Sequence, residues 1–284
     1  MNRQQMMKKI SSLTSLPTLP VVAMEVNRML QDLESPIERL VELLERDQAM
    51  VMKILRLVNS SFFGLKNRVT SLRHAVTLLG YSTVQSAVVT VSVIDVLTMK
   101  HKQPGFDIGD FWTHAIGVAV MTRQLAERTR LAQADEAFTA GLLHDVGKIV
   151  LVNHFPDIFS RVLAQMDTGQ ETFFAAEQHL GCWPHTRIGG YLANRWMLPE
   201  KLEQSISRHH SQTNGIETFN TITLVRLADT LVNLMENRRG YHLDPNLLSE
   251  TVREPVVALL KDSQEWFPVV KTEIDEASNF FKQG

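Results

Sequence analysis

The residues of this chain best suited to chemistry are Asp110, His114, His144, Asp145, His185, His209, His210 and Asp229. Imidazole and carboxylate together suit first-row divalent metals, and neutral imidazole is a good ligand near pH 7. Asp110 and His114 are at i, i+4, so on a helix they share a face one turn apart and can grip one ion together. His144 and Asp145 are adjacent in Gly141-Leu-Leu-His-Asp-Val-Gly-Lys148. On an α-helix neighbouring side chains diverge by about 100°, so this pair either reaches sideways into one site or addresses two ions. It sits among Ala140, Leu142, Leu143, Val146, Ile149 and Val150, where ionisable groups need a compensating partner such as a metal. Lys148 adds a point charge suited to phosphate near the same opening.

Each feature alone has an ordinary alternative. An Asp/His pair at i, i+4 is a common surface hydrogen bond. His209-His210 at a helix end complements the C-terminal dipole, and Asp229 can form an interhelical salt bridge. The complete set, in one order along a helical chain, is far harder to attribute to accident.

The elements that must position these residues read as helices throughout. Ser35-Pro-Ile-Glu38 is a capping box, and Ile37, Leu40, Val41 and Leu44 recur on one face behind it. Asp47 can cap a following helix with Val51, Ile54, Leu55 and Val58 on its apolar side, before a turn at Asn59-Ser60-Ser61. Ser71 to Gly80 has a serine cap and a glycine stop. Ser82 to Gln85 forms another capping box; the Val-rich run behind it reads as a buried helix, with a buried strand as the alternative. Lys100 to Gly105 is the best linker. Beyond it helices are predicted at Ile108 to Arg128, Glu136 to Asn153, Asp157 to Met166, Glu171 to Leu180, Thr186 to Trp196, Pro199 to His210, Thr221 to Glu236 and Glu254 to Phe281, the last with breaks. No repeat, low-complexity tract or two-residue hairpin turn occurs, so the expected class is all-α.

Composition sets the bounds. At 284 residues with 44% apolar and 21% charged, the chain is long enough for two domains or one large one. Twenty-nine basic and 31 acidic residues give a formal charge of -2, which argues against nucleic acid or an anionic membrane as the main partner. The single cysteine, Cys182, excludes a disulfide framework and paired-cysteine zinc sites, and it reads as a buried neutral thiol. A reducing cytoplasm is the expected compartment. Arg3, Lys8 and Lys9 lack the apolar stretch that would make a signal peptide, and the longest apolar run, Ser86 to Leu97, is too short to span a membrane and holds Asp95. The tryptophans at 112, 183, 196 and 266 and the methionines at 24, 29, 50 and 52 are expected to be packing residues.

The order His114, then His144-Asp145, then Asp229 resembles the H…HD…D pattern of the HD superfamily of metal-dependent phosphohydrolases. The N-terminal half is similar to the HDOD family, a branch related to the HD-GYP phosphodiesterases. The resemblance is carried by Leu16-Pro-Thr-Leu-Pro20, Asp47, Lys53-Ile-Leu-Arg-Leu-Val-Asn-Ser60 and Ser71-Leu-Arg-His-Ala-Val-Thr-Leu-Leu-Gly80. Further matches are Ala140 to Lys148, His185 with Gly189, Trp196-Met-Leu-Pro199 and His209-His210. The likeness implies an N-terminal helical subdomain over residues 1–104 and an HD-like helical domain with C-terminal helices over residues 105–284.

It further implies a signalling or regulatory module of bacterial type, in a family where many members have lost ligands and lack demonstrated catalysis. This sequence keeps more. Against the HD-GYP pattern His114, His144, Asp145, His185, His209, His210 and Asp229 each fall on a ligand-type position, Asp110 stands where the relatives carry Glu, and Lys148 matches the lysine of HDxGK. No Gly-Tyr-Pro follows His210, and Gly240-Tyr241-His242 stands in the wrong place to substitute, so cyclic-di-GMP hydrolysis is disfavoured. Two readings follow from the resemblance. In one, the module passes a signal to a protein partner or senses a small phosphorylated ligand. In the other, it is an active phosphohydrolase with one or two ions of Fe, Mn or Zn. Asp145 would then bridge, with His114, His144 and Asp229 on one ion, His185, His209 and His210 on the other, and Lys148 steadying the phosphoryl group.

Overall fold

Asp47 and Ser71 cap helices as their sequence context predicts: Asp47 Oδ1 accepts the Met50 backbone N–H at 3.0 Å, and Ser71 Oγ accepts that of His74 at 3.2 Å. The computed structural model describes residues 3–13, 15–29, 36–59, 67–99, 102–211, 221–243 and 250–282. In the N-terminal part the helices are α1 (Arg3–Ser12), α2 (Val21–Met29), α3 (Ile37–Leu44), α4 (Gln48–Val58), α5 (Leu72–Leu79) and α6 (Tyr81–Val96). There follow α7 (Ile108–Thr129), α8 (Ala134–Leu143), α9 (Val146–His154), α10 (Pro156–Gly169), α11 (Phe173–His179) and α12 (His185–Arg195). The chain closes with α13 (Glu200–Arg208), α14 (Thr221–Met235), α15 (Glu250–Lys261) and α16 (Ser263–Lys282). Among the described residues the sole β feature is an isolated bridge between Gln103 and Phe106. The protein is all-α.

Differences from expectation have identifiable causes. Ser35 lies outside the described residues, as do Ser60 and Ser61, and α3 begins after Pro36. Ser82 falls inside α6, which starts from Gly80 with no side-chain cap. The Val-rich run is helical and buried on several sides, which explains why it lacks a polar stripe. Helices α1 and α2 escape the pattern reading because α1 buries only Met6 and Ile10, and α2 is short and follows Pro17 and Pro20 closely. Met52 is an exception among the methionines, being 62% exposed.

The long helix α7 is the central strut, packed against α8, α14 and α16, while α12 packs on α9 and α13. The N-terminal part joins this body through α6 on α8. It is also tied by its own start: Arg3 Nε donates to Cys182 O at 3.2 Å, and Trp196 Nε1 donates to Pro17 O at 2.9 Å. One apolar core therefore runs across the linker region. No helix among the described residues is long and apolar enough to cross a membrane.

Candidate metal centre

The decisive local feature is a break in the chain at His144-Asp145. The sequence pattern predicts one helix from Glu136 to Asn153; the structure has α8 ending at Leu143 and α9 beginning at Val146. Asp145 leaves helical geometry at φ -103°, ψ 6°, so the two side chains turn toward one centre instead of diverging. Gly147 permits the arrangement. A Cβ there would lie 1.9 Å from His185 O, so only glycine lets the start of α9 approach the start of α12 this closely.

Five elements then deliver side chains to one buried point. His114 comes from α7, Asp145 from the α8–α9 junction with His144, His185 from α12, His209 from the end of α13 and Asp229 from α14. Three groupings have ligand atoms within 4.8 Å of one another: His114, His144 and Asp229; His144, Asp145 and His209; His185, His209 and His210. Asp145 joins them, with Oδ1 3.0 Å from His185 Nε2 and 3.9 Å from His209 Nε2, and Oδ2 3.3 Å from His144 Nε2. Asp229 Oδ1 lies 3.2 Å from His114 Nε2 and 3.6 Å from His144 Nε2.

Orientation of the imidazoles is the more telling fact. His144 Nδ1 donates to Gly141 O at 2.7 Å and His209 Nδ1 to Ile206 O at 3.0 Å. His185 Nδ1 is held by Glu177 Oε2 at 2.7 Å, and His114 Nδ1 by Glu236 Oε1 at 3.3 Å. A carbonyl only accepts, so the proton sits on Nδ1, and Nε2 is turned to the centre as a lone-pair donor. His144 Nε2 and Asp145 Oδ1 are buried without a hydrogen-bond partner. Polar atoms left bare in a core are costly, and a divalent cation among these atoms removes the cost. The donor set of imidazole and carboxylate fits Fe, Mn or Zn.

The electrostatics of the centre point the same way. Burial works against a charge on His144, yet the Asp145 and Asp229 carboxylates outweigh it and hold its pKa up at about 10. His185 is raised in the same way by Glu177 and Asp145 against burial. Burial opposes ionisation of Asp145 and Asp229, but the surrounding cations and hydrogen bonds keep both well below the usual carboxylate range. Burial lowers His209 far below normal and His210 to about 3, so these two stay neutral. The buried carboxylates thus draw positive charge to the centre, a demand that a divalent ion would meet.

The remaining candidates sit around this group. His210 stacks on Phe174 with centroids 4.7 Å apart. Asp110 is exposed on the first turn of α7 and belongs to none of the three groupings; it lines the mouth of a pocket of about 450 Å³ whose floor includes His114, Asp145 and Lys148. Lys148 Nζ donates to Asp145 Oδ2 and lies 4.9 Å from the Phe173 ring centroid. Cys182 is buried and its Sγ donates to Glu177 O at 3.4 Å; it stands outside the centre.

Sequence reading passed over Glu177, Glu236 and Asn233. Glu177 accepts both the His185 backbone N–H and Nδ1–H at 2.7 Å, and Asn233 Nδ2 donates to Asp229 Oδ1 at 2.6 Å. A signal existed: Glu177 follows Phe173 and Ala176 at i+4 and i+1 on the apolar face of α11, where an acid is anomalous, and Asn233 and Glu236 recur four and seven residues after Asp229.

The HDOD domain model matches residues 16–212. An HDOD domain protein of unknown function from Geobacter sulfurreducens superposes with a TM-score of 0.75 at 25% identity, covering 96% of this chain and 97% of its own. A Shewanella amazonensis protein whose name proposes a phosphohydrolase has a TM-score of 0.74 at 22% identity, covering 97% of each chain, a likeness of fold. An uncharacterized Treponema pallidum protein is 25% identical over 238 residues; the match takes in 82% of this chain and 45% of that protein, so the chain spans under half the length of its curated relative.

Proposed function

The chain belongs to the HDOD domain family, and from that premise we propose that it is a regulatory module whose His/Asp centre binds one or two divalent ions. The observation that carries this reading is the set of four imidazoles with Nδ1 anchored and Nε2 turned inward, beside a bare His144 Nε2 and Asp145 Oδ1. His114, His144 and Asp229 would hold one ion and His185, His209 and His210 a second, with Asp145 between them. Asp110, at the mouth, is proposed to act on whatever enters the pocket or through a movement of the first turn of α7. The family role makes a small phosphorylated ligand or a protein partner in the cytoplasm the natural input and output.

A second reading, a working phosphohydrolase of other than the GYP type, is favoured by the open pocket. Its floor exposes His114, Asp145 and Lys148 to a cavity large enough for a small ligand. A divalent ion bound there supplies Lewis-acid polarisation of a phosphoryl oxygen. Lys148, beside Asp145 on the pocket lining, would place its ammonium near the charge of the transferring group. Phe173 and Phe159 add buried apolar surface to the lining of the cavity. Calorimetric titration with Mn²⁺ and Zn²⁺ tests the first reading: saturable binding that is lost in His144→Ala supports it, and equal heats from both chains oppose it. Assay of the Mn- or Fe-loaded chain on nucleotides, cyclic nucleotides and simple phosphodiesters tests the second. Turnover lost in Asp145→Asn supports hydrolysis; no turnover on any of them leaves the regulatory reading alone.

A further inference from the structure

The pocket over the centre is lined by two unlike sets of residues. Phe106, Phe111, Phe159, Leu163 and Met166 contribute apolar surface. Phe106 and Phe159 meet edge to face at 5.4 Å, and Gln103, bridged to Phe106, is fastened to Ser160 Oγ at 2.8 Å. The segment after α14 contributes Arg238, Arg239 and Tyr241. That segment is firmly seated. Gly240, at φ +81°, lies so close to the Glu171-Thr172 backbone that a Cβ would stand 3.0 Å from it. Arg238 N donates to Asn233 O at 2.9 Å, and Arg238 Nε pairs with Glu236 at 2.6 Å. The same Glu236 orients His114, so this arm and the centre share one anchor.

The cations of the pocket differ in their freedom. Lys148 is neutralised by Asp145 and Arg238 by Glu236, whereas Arg239 is exposed and makes no hydrogen bond or ion pair among the described residues. Tyr241, two residues on, lines the same pocket. Asp110 and Asp167 also line the mouth. Divalent charge at the centre would offset these carboxylates and favour an anion in the pocket.

Building on the reading of the centre as a metal site for phosphorylated ligands, we infer that Arg239 and Tyr241 form a ligand-selecting arm for an aromatic phosphate ester. Its phosphoryl group lies between the centre and the Arg239 guanidinium, and its ring rests on the wall of Phe106 and Phe159. A planar guanidinium with free donors is the group best matched to phosphate oxygens. A cavity of about 450 Å³ holds one such ester.

Phenylphosphonate and methylphosphonate are the probes, because they share an unhydrolysable anion and differ in the ring. Each is titrated calorimetrically into the full chain loaded with Mn²⁺, with metal content measured on every sample. The wild-type chain is expected to bind phenylphosphonate at least about tenfold tighter than methylphosphonate, as burial of a ring predicts. Arg239→Ala should weaken both by about tenfold or more while retaining its metal, the loss of one charge-assisted contact. Phe106→Ala should narrow the preference for the ring. Metal-loaded Arg239→Ala that binds both probes as the wild type does overturns the inference. A wild-type chain that takes up no metal overturns the reading beneath it instead, so the two failures are told apart.

Discussion

Glu177 holds His185 twice, and no solvent reaches either contact. Replacing it with glutamine leaves one acceptor for two donors and turns an N–H₂ toward the ring. Glu177→Gln is therefore expected to weaken metal binding by about 10- to 100-fold with the helical content unchanged, as read by metal titration and circular dichroism. Proton linkage gives a second test. A His that binds metal must be neutral, whereas the Asp145 and Asp229 carboxylates hold the His144 pKa up at about 10 and His185 is also raised. Loading then displaces those protons, so affinity should rise with pH by about tenfold per unit for each proton released over roughly pH 6–8. Titration in buffers of different ionisation enthalpy measures the number; an affinity flat in pH contradicts the assignment. Cys182 offers a third. Burial, aided by the Glu177 carboxylate, pushes its thiol up to about 11, so alkylation at pH 8 should be slow until the protein is denatured. The ligand-type residues were readable in the sequence because their chemistry is rare and their order is distinctive. The role of Glu236 was not, because its spacing from Asp229 marks a helix face, whereas its tie to His114 links residues 122 apart.

At the scale of elements, the break between α8 and α9 matters more than any cap. Helical periodicity continues through Leu142, Leu143, Val146 and Ile149, so a pattern reading runs straight across it. What breaks the helix is tertiary: α9 must approach α12 at Gly147, and His144 and Asp145 must face the same centre. Gly147→Ala, with a Cβ 1.9 Å from a backbone oxygen, should cost about 3 kcal/mol and lower Tm by roughly 6–12 °C, measured by calorimetry. Metal uptake should fall with it, since the shift moves His185. Where caps act locally, as at Asp47 and Ser71, the sequence was sufficient to place the helix start. At α6 the apparent capping box was overridden, since helix already begins at Tyr81.

For the whole molecule, helices between α7 and α14 close around one centre, and the apolar core is continuous from α1 to α16. The all-α class follows from the helical spacing and the absence of hairpin turns, whereas the docking of α1 beside Cys182 and Trp183 depends on contacts between residues nearly 180 apart that local patterning cannot encode. An ion held by side chains from five elements would bind the folded chain and not the unfolded one, and so would stabilise the whole. At a hundredfold excess over Kd, divalent metal should add about 2.7 kcal/mol, a rise of roughly 5–11 °C in Tm, and a chelator should remove it. The central claim, that this gathering of buried imidazole and carboxylate is a metal centre, is tested most directly by elemental analysis of the full chain purified without chelator. Wild type should carry ~1–2 equivalents of Fe, Mn or Zn and His144→Ala far less; less than about a tenth of an equivalent in the wild type, even after supply of all three metals, would contradict it.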